Sequence, residues 1–166
     1  MQALPKVEVS TVAIAGSAER FPVRRVYCVG RNYADHAKEM GHSGREPPFF
    51  FLKPADALFN VADGQTRDWP YPSLTKDLHH EVELVVAIGK AGKNISVENA
   101  AKHIWGYAIG LDMTRRDLQA AMKKESKPWC IGKGFDHGAP IGPLFPIEQP
   151  GEITSGPITL KVNGEV

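Results

Sequence analysis

The sequence predicts an α+β domain dominated by strands. Short β-rich runs recur between glycine and proline turns: "RRVYCVG" at 24–30, "PPFFFLKP" at 47–54, "EVELVVAIG" at 81–89 and "GYAIGLD" at 106–112. Helical patterns are few and short. From "KPWCIGKGFDHGAPIGPLFP" onward the chain is rich in Gly and Pro, which leaves room only for short extended pieces.

Taken in order, "VEVSTVAIA" (7–15) is β-rich and "GSAER" after it is a turn. Residues 1–20 are set apart as an N-terminal strand segment, and 21–166 as the main domain. "RRVYCVG" is a buried strand ending at a glycine. "YADHAKEM" (33–40) predicts a short helix, with Asn32 as a cap and Gly41 as a stop. "PPFFFLKP" is a strand bracketed by prolines, and 60–80 is a polar loop. "EVELVVAIG" is the strongest strand signal. "SVENAAKHIW" (96–105) predicts a helix capped by Ser96. "TRRDLQAAMKKES" (114–126) predicts a second, opened by Thr114 and Asp117 in a capping-box-like pair. Near the end, Asn163-Gly164 is a two-residue hairpin signal after a strand at 158–162. Only two residues follow it, so the chain reads as interrupted within a motif.

Length and charge exclude several classes. A chain of 166 residues suffices for one domain with a real core. Twenty basic against nineteen acidic residues give no general pull toward nucleic acid or an anionic membrane. The longest apolar runs are far too short to cross a bilayer. Cys28 and Cys130 form no CxxC pair and no disulfide framework, and "MQALPKVEVS" does not read as a signal peptide. A cytoplasmic protein is expected.

The chemistry-bearing residues begin with Glu81 and Glu83. In a strand, residues two apart share a face, so these carboxylates are neighbours. Buried like charges repel unless a cation compensates, and hard divalent ions prefer oxygen ligands. A solvent-facing strand start remains the plain alternative. Asp112, at the end of "GYAIGLD", can supply a third oxygen ligand, or can simply cap the helix after it. His36 and Glu39 lie three apart on one helix face, as a general base and its orienting carboxylate would. An exposed polar face is the alternative. Arg116, Gln119 and Lys123 share a helical face, either as a grip for an anionic substrate or as solvated surface. "GKGFDHGAP" places Lys133 between glycines, where backbone can approach a ligand closely. It is no P-loop, and GxGxxG, HExxH and GxSxG do not occur.

"YCVGRNYADHAKEMG", "PFFFLKPADAL", "HHEVELVVAIGK", "GYAIGLDMTRRDLQ" and "GKGFDHGAPIGP" occur in this order. Together they resemble the fumarylacetoacetate hydrolase family, and most closely its fumarylpyruvate and acylpyruvate hydrolase branch, over roughly residues 20 to 166. The resemblance implies a β-rich fold, often dimeric, with a Mg²⁺ or Mn²⁺ site; Ca²⁺ also suits the ligands. It implies metal ligands at Glu81, Glu83 and Asp112, a catalytic pair at His36 and Glu39, and a lysine near the metal at Lys133. Arg116 and Gln119 are the implied substrate contacts, and a small anionic dioxo acid the implied substrate. Asp56 stands where many relatives carry a small hydroxyl residue. Relatives also continue past residue 166, which agrees with the interrupted hairpin. The implied reaction is metal-dependent hydrolysis of a carbon–carbon bond in a 2,4-dioxo acid. Decarboxylation or isomerisation within the same family, and a non-catalytic metal-binding module, are the alternatives.

Overall fold

The computed structural model describes residues 3–33 and 47–166. The expected helix over 33–40 falls almost entirely outside them, and with it His36 and Glu39. Strand dominates the described residues, as the sequence predicts, and the helices are short.

The centre of the fold is a long antiparallel pair, β6 (Leu78–Ile88) with β7 (Ile104–Arg115). Both strands outrun their sequence signals. Leu78, His79 and His80 precede the apolar run, yet pair with Arg115, Thr114 and Met113. Each strand's polar extension finds its ladder partner in the other's, so neither stops where hydrophobicity stops. β8 (Ala139–Ile141) lies on the other side of β7, and β5 (Leu58–Asn60) runs parallel to β8. The order is β5-β8-β7-β6, and a short β9 (Phe145–Pro146) also pairs with β7. Two small hairpins flank this sheet: β1 (Thr11–Ala13) with β2 (Arg20–Pro22), and β3 (Val26–Gly30) with β4 (Phe49–Lys53).

The core sits where the first hairpin meets the sheet. Val12, Ala87, Ala108, Ile141 and Leu144 are buried together, with Phe21, Val85 and Trp105 packed against them. The N-terminal segment therefore contributes to the same core as the rest, and β2 crosses the boundary drawn at residue 20. Phe21 and Trp105 meet at 5.1 Å between ring centroids.

The helices differ from their sequence patterns. The stretch 96–105 forms only α1 (Val97–Ala100) and a 3-10 turn, Ala101–His103. Ser96 makes no capping bond; its hydroxyl accepts from Asn99 Nδ2 at 3.0 Å. Trp105 belongs to β7, drawn there by its place against Phe21. The second helix is α2 (Arg116–Lys124), beginning two residues later than expected. Thr114 is not its cap but a fully buried β7 residue. Asp117 accepts from Thr75 Oγ1 at 2.6 Å and the Lys76 amide at 3.0 Å, so it fastens the 61–77 loop to the helix. A further single turn, α3 (Cys130–Lys133), follows. Asn163 and Gly164 do form the expected turn, both with positive φ, between the bridged residues Val162 and Glu165. Residues 158–161 form no strand. Among the described residues no helix is long and apolar enough to cross a membrane.

Candidate metal and substrate site

Pairing of β6 with β7 brings the three expected carboxylates onto one sheet face. Glu81 stands directly opposite Asp112, and directly opposed residues in an antiparallel pair point the same way. Glu83 is two residues along, opposite Gly110. Gly110 leaves room there: a Cβ would meet Val85 Cγ2 at 2.9 Å and the Pro140 carbonyl at 3.3 Å.

Three cationic arms reach this face from other elements. Lys133, on α3, donates to Glu81 Oε2 at 2.8 Å, Asp112 Oδ2 at 2.6 Å and Thr114 Oγ1 at 2.6 Å. Arg116, opening α2, pairs with Glu81 Oε1 and donates to Gln119 Oε1 at 3.0 Å. Lys53, at the end of β4, lies 2.9 Å from Asp112 Oδ1. The structure thus gathers Glu81, Glu83, Asp112, Arg116, Gln119 and Lys133 at one place. His36 and Glu39 lie outside the described residues.

Gly132 explains how α2 and α3 both reach the site. A Cβ on it would stand 2.8 Å from Gln119 Cβ and 2.9 Å from the Gln119 backbone. The glycine serves this helix contact, whereas the sequence suggested backbone approach to a ligand. The contact delivers Lys133 beside Gln119.

Lys53 and Tyr33 were not singled out by the sequence, and Thr114 was singled out only as a helix cap. Lys53 had a visible signal: Phe49, Phe51 and Lys53 alternate on one face of β4, so the lysine follows two inward aromatics. Tyr33 had none, because its hydroxyl accepts from the Leu84 amide at 3.2 Å, across 51 residues of chain.

The electrostatics of the two glutamates diverge. Burial alone would raise the Glu81 carboxyl, but Lys133 and Arg116 outweigh it and hold it below the usual range. Burial pushes Glu83 up to about 7; the Tyr33 hydroxyl opposes this, while the Asp112 and Glu81 charges add to it. Among the described residues Glu83 makes no ion pair. Burial also pulls the Lys53 ammonium below the ordinary lysine range, against the pull of Asp112. Cys28 faces the site from β3, but burial, then the Asp112 charge, pushes its thiol up to about 12. No thiolate nucleophile is therefore available there near neutral pH.

Among the described residues no three Asp, Glu, His or Cys side chains close into a ligand shell by themselves, because Lys133 draws Glu81 and Asp112 onto its own ammonium. The donor set still fits a hard divalent ion. It offers carboxylate oxygens on one face, and Glu83, among the described residues, is held in no ion pair. The site opens into a cavity of about 1320 Å³. Phe49, Phe51 and Trp129 form an aromatic wall on it, with Trp129 5.5 and 5.8 Å from the two phenylalanine centroids.

Residues 25–166 match the family model for the fumarylacetoacetate (FAA) hydrolase C-terminal domain. The chain belongs to the fumarylacetoacetate hydrolase family. The fold is similar to that of a fumarylpyruvate hydrolase from Pseudomonas aeruginosa, solved with Mn²⁺ and pyruvate. Identity is 57% and the TM-score 0.86, over 91% of this chain and 65% of that one. A mitochondrial oxaloacetate decarboxylase of Dictyostelium discoideum is 38% identical over 143 residues, covering 86% of this chain and 64% of that protein. An oxaloacetate tautomerase of Escherichia coli is 40% identical over 151 residues, covering 90% and 67%. The chain thus spans about two thirds of the length of these relatives.

Proposed function

We propose that the protein is a divalent-metal-dependent hydrolase that cleaves a carbon–carbon bond in a 2,4-dioxo acid, with fumarylpyruvate as favoured substrate. One observation carries the reading: three carboxylates share one sheet face beside Lys133, Arg116 and Gln119. The 57% identity to a fumarylpyruvate hydrolase solved with Mn²⁺ and pyruvate supports the choice of substrate.

Glu81, Glu83 and Asp112 would hold Mg²⁺ or Mn²⁺, which supplies Lewis-acid stabilisation of negative charge on the pyruvoyl oxygens. Arg116, with Gln119 beside it, binds the substrate's carboxylate or carbonyls, a task suited to a guanidinium fork. By the family resemblance His36, oriented by Glu39, takes a proton from water. The hydroxide so formed adds to the distal keto carbon. The carbon–carbon bond then breaks, its electron pair leaving with the pyruvate enolate. Lys133, already among three oxygens, stabilises the charge that develops there. Water's oxygen ends in the new carboxylate of fumarate, and a proton returns to the enolate carbon to give pyruvate. The phenyl and indole faces of Phe49 and Trp129 suit a flat unsaturated acyl group.

A second reading is tautomerisation or decarboxylation of oxaloacetate, favoured by the 38–40% identical relatives. It uses the same charge-stabilising residues. The test is to supply purified protein and Mn²⁺ with each substrate and to measure products by chromatography. Fumarate and pyruvate in equal amounts from fumarylpyruvate are expected. Oxaloacetate turnover with fumarylpyruvate left intact would replace the first reading by the second.

A further inference from the structure

Lys53 is a buried charge that the proposed mechanism leaves unused. It is 3% exposed, and a lysine is almost never so deeply buried unless its charge is matched. Two of its three ammonium donors meet backbone carbonyls, and the ammonium also faces the Asp112 carboxylate. Met113 O lies at 3.0 Å, Lys133 O at 2.5 Å and Asp112 Oδ1 at 2.9 Å. The Asp112 contact is an ion pair without hydrogen-bond alignment, so that oxygen has no donor of its own. The Phe135 ring, 5.4 Å from the nitrogen, closes a further side.

The partners differ in kind from those of Lys133. All three acceptors of Lys133 are side chains, so that ammonium can follow them if they move. Two of the acceptors of Lys53 are backbone carbonyls, one on β7 next to Asp112 and one on α3. Lys53 is thus pinned to the frame, and the Asp112 carboxylate must settle against it. With Oδ1 facing Lys53 and Oδ2 facing Lys133, the carboxylate plane is defined from both edges.

We propose that Lys53 is a positioning residue, which fixes the Asp112 carboxylate for metal binding and ties β4, β7 and α3 together at the site. This rests on the metal reading above. Partners that orient a ligand from behind typically govern metal affinity by about 10- to 100-fold. Lys53→Met keeps length and apolar stem while removing the ammonium.

The test is direct titration of purified protein with Mn²⁺, following free Mn²⁺ by electron paramagnetic resonance, with the melting temperature of the metal-free chain alongside. Lys53→Met is expected to weaken Mn²⁺ binding by about 10-fold or more. Lys53→Arg retains a cation but spreads it over a planar fork, so it is expected to fall between the two. Wild-type protein that binds no Mn²⁺ overturns the metal reading and this proposal with it. Wild-type binding with equal or tighter affinity in Lys53→Met overturns the positioning role alone, even if the melting temperature falls. Should Lys53→Met not fold, Lys53→Arg decides: wild-type affinity in that variant overturns the proposal.

Discussion

Two halves of one sheet face do opposite work. Along β6, Glu81, Glu83, Val85 and Ala87 follow one another with the same period of two, facing Asp112, Gly110, Ala108 and Gly106 on β7. At the Ala87 end, Val12 and Leu144 cover the strands and the result is an apolar core. At the Glu81 end, α2, α3 and β4 cover them with Arg116, Lys133 and Lys53. The backbone geometry is common to both. The strand pair sets the spacing, and what packs over it sets the chemistry. The apolar half also anchors the charged half, because burial there stabilises the ladder on which the repelling carboxylates stand.

Substitutions can separate the halves. The largest effect on the site is expected from Glu83→Ala, with Mn²⁺ binding and turnover both lost in direct titration and product assay. Full turnover in the metal-stripped variant would refute the metal reading. Gly132→Ala comes next. Its new methyl collides with the Gln119 backbone and shifts α3 against α2. A misplacement of about 1 Å can cost about 100-fold, so kcat/KM should drop by that order in steady-state kinetics. A smaller effect on the site, but a large one on the fold, is expected from Leu144→Ala. That side chain is 2% exposed, and its truncation should cost about 2–5 kcal/mol in denaturant unfolding, with Mn²⁺ affinity unchanged in the folded protein. Weakened affinity there would show that the halves are not separable.

The mildest expected effect concerns pH. The folded Glu83 carboxyl stands at about 7, above its ordinary value of 4.5. Between these values the folded chain keeps a proton that the unfolded chain has released. The contribution of Glu83 to metal-free stability is therefore fully present below the ordinary value and is lost as pH rises through about 7. Saturating Mn²⁺ should flatten or reverse that trend in thermal melts, since the ion favours the charged form. An unchanged slope with Mn²⁺ would place Glu83 outside the ligand set.

Much of this arrangement was legible in the sequence. Period-two alternation put Glu81 and Glu83 on one face, and the second strand signal ended at Asp112, which proves to be the residue opposite Glu81. Three-residue spacing joined Arg116 to Gln119, and they do touch. What escaped notice depends on partners distant in sequence. Thr114 looks like a helix cap because local chemistry favours hydroxyls there. It is a strand residue because β6 extends to Leu78 and offers it a partner. Ser96 likewise has capping chemistry, but its short helix leaves the hydroxyl to Asn99. Lys53 shares the inward face of Phe49 and Phe51, but the groups that receive its charge lie far along the chain on β7 and α3. Local pattern reports which face a side chain takes; it does not report what covers that face.

The contact at Gly132 has an evolutionary consequence. With no clearance between α2 and α3, the arm bearing Arg116 and Gln119 and the arm bearing Lys133 form one mechanical part. Under the proposed function, substitutions that re-aim Arg116 and Gln119 for a longer or shorter acid would drag the Lys133 ammonium along. New substrate ranges on this scaffold should therefore arise more readily in the aromatic wall of Phe49, Phe51 and Trp129. That surface can be recut while the joint between the two helices stays as it is.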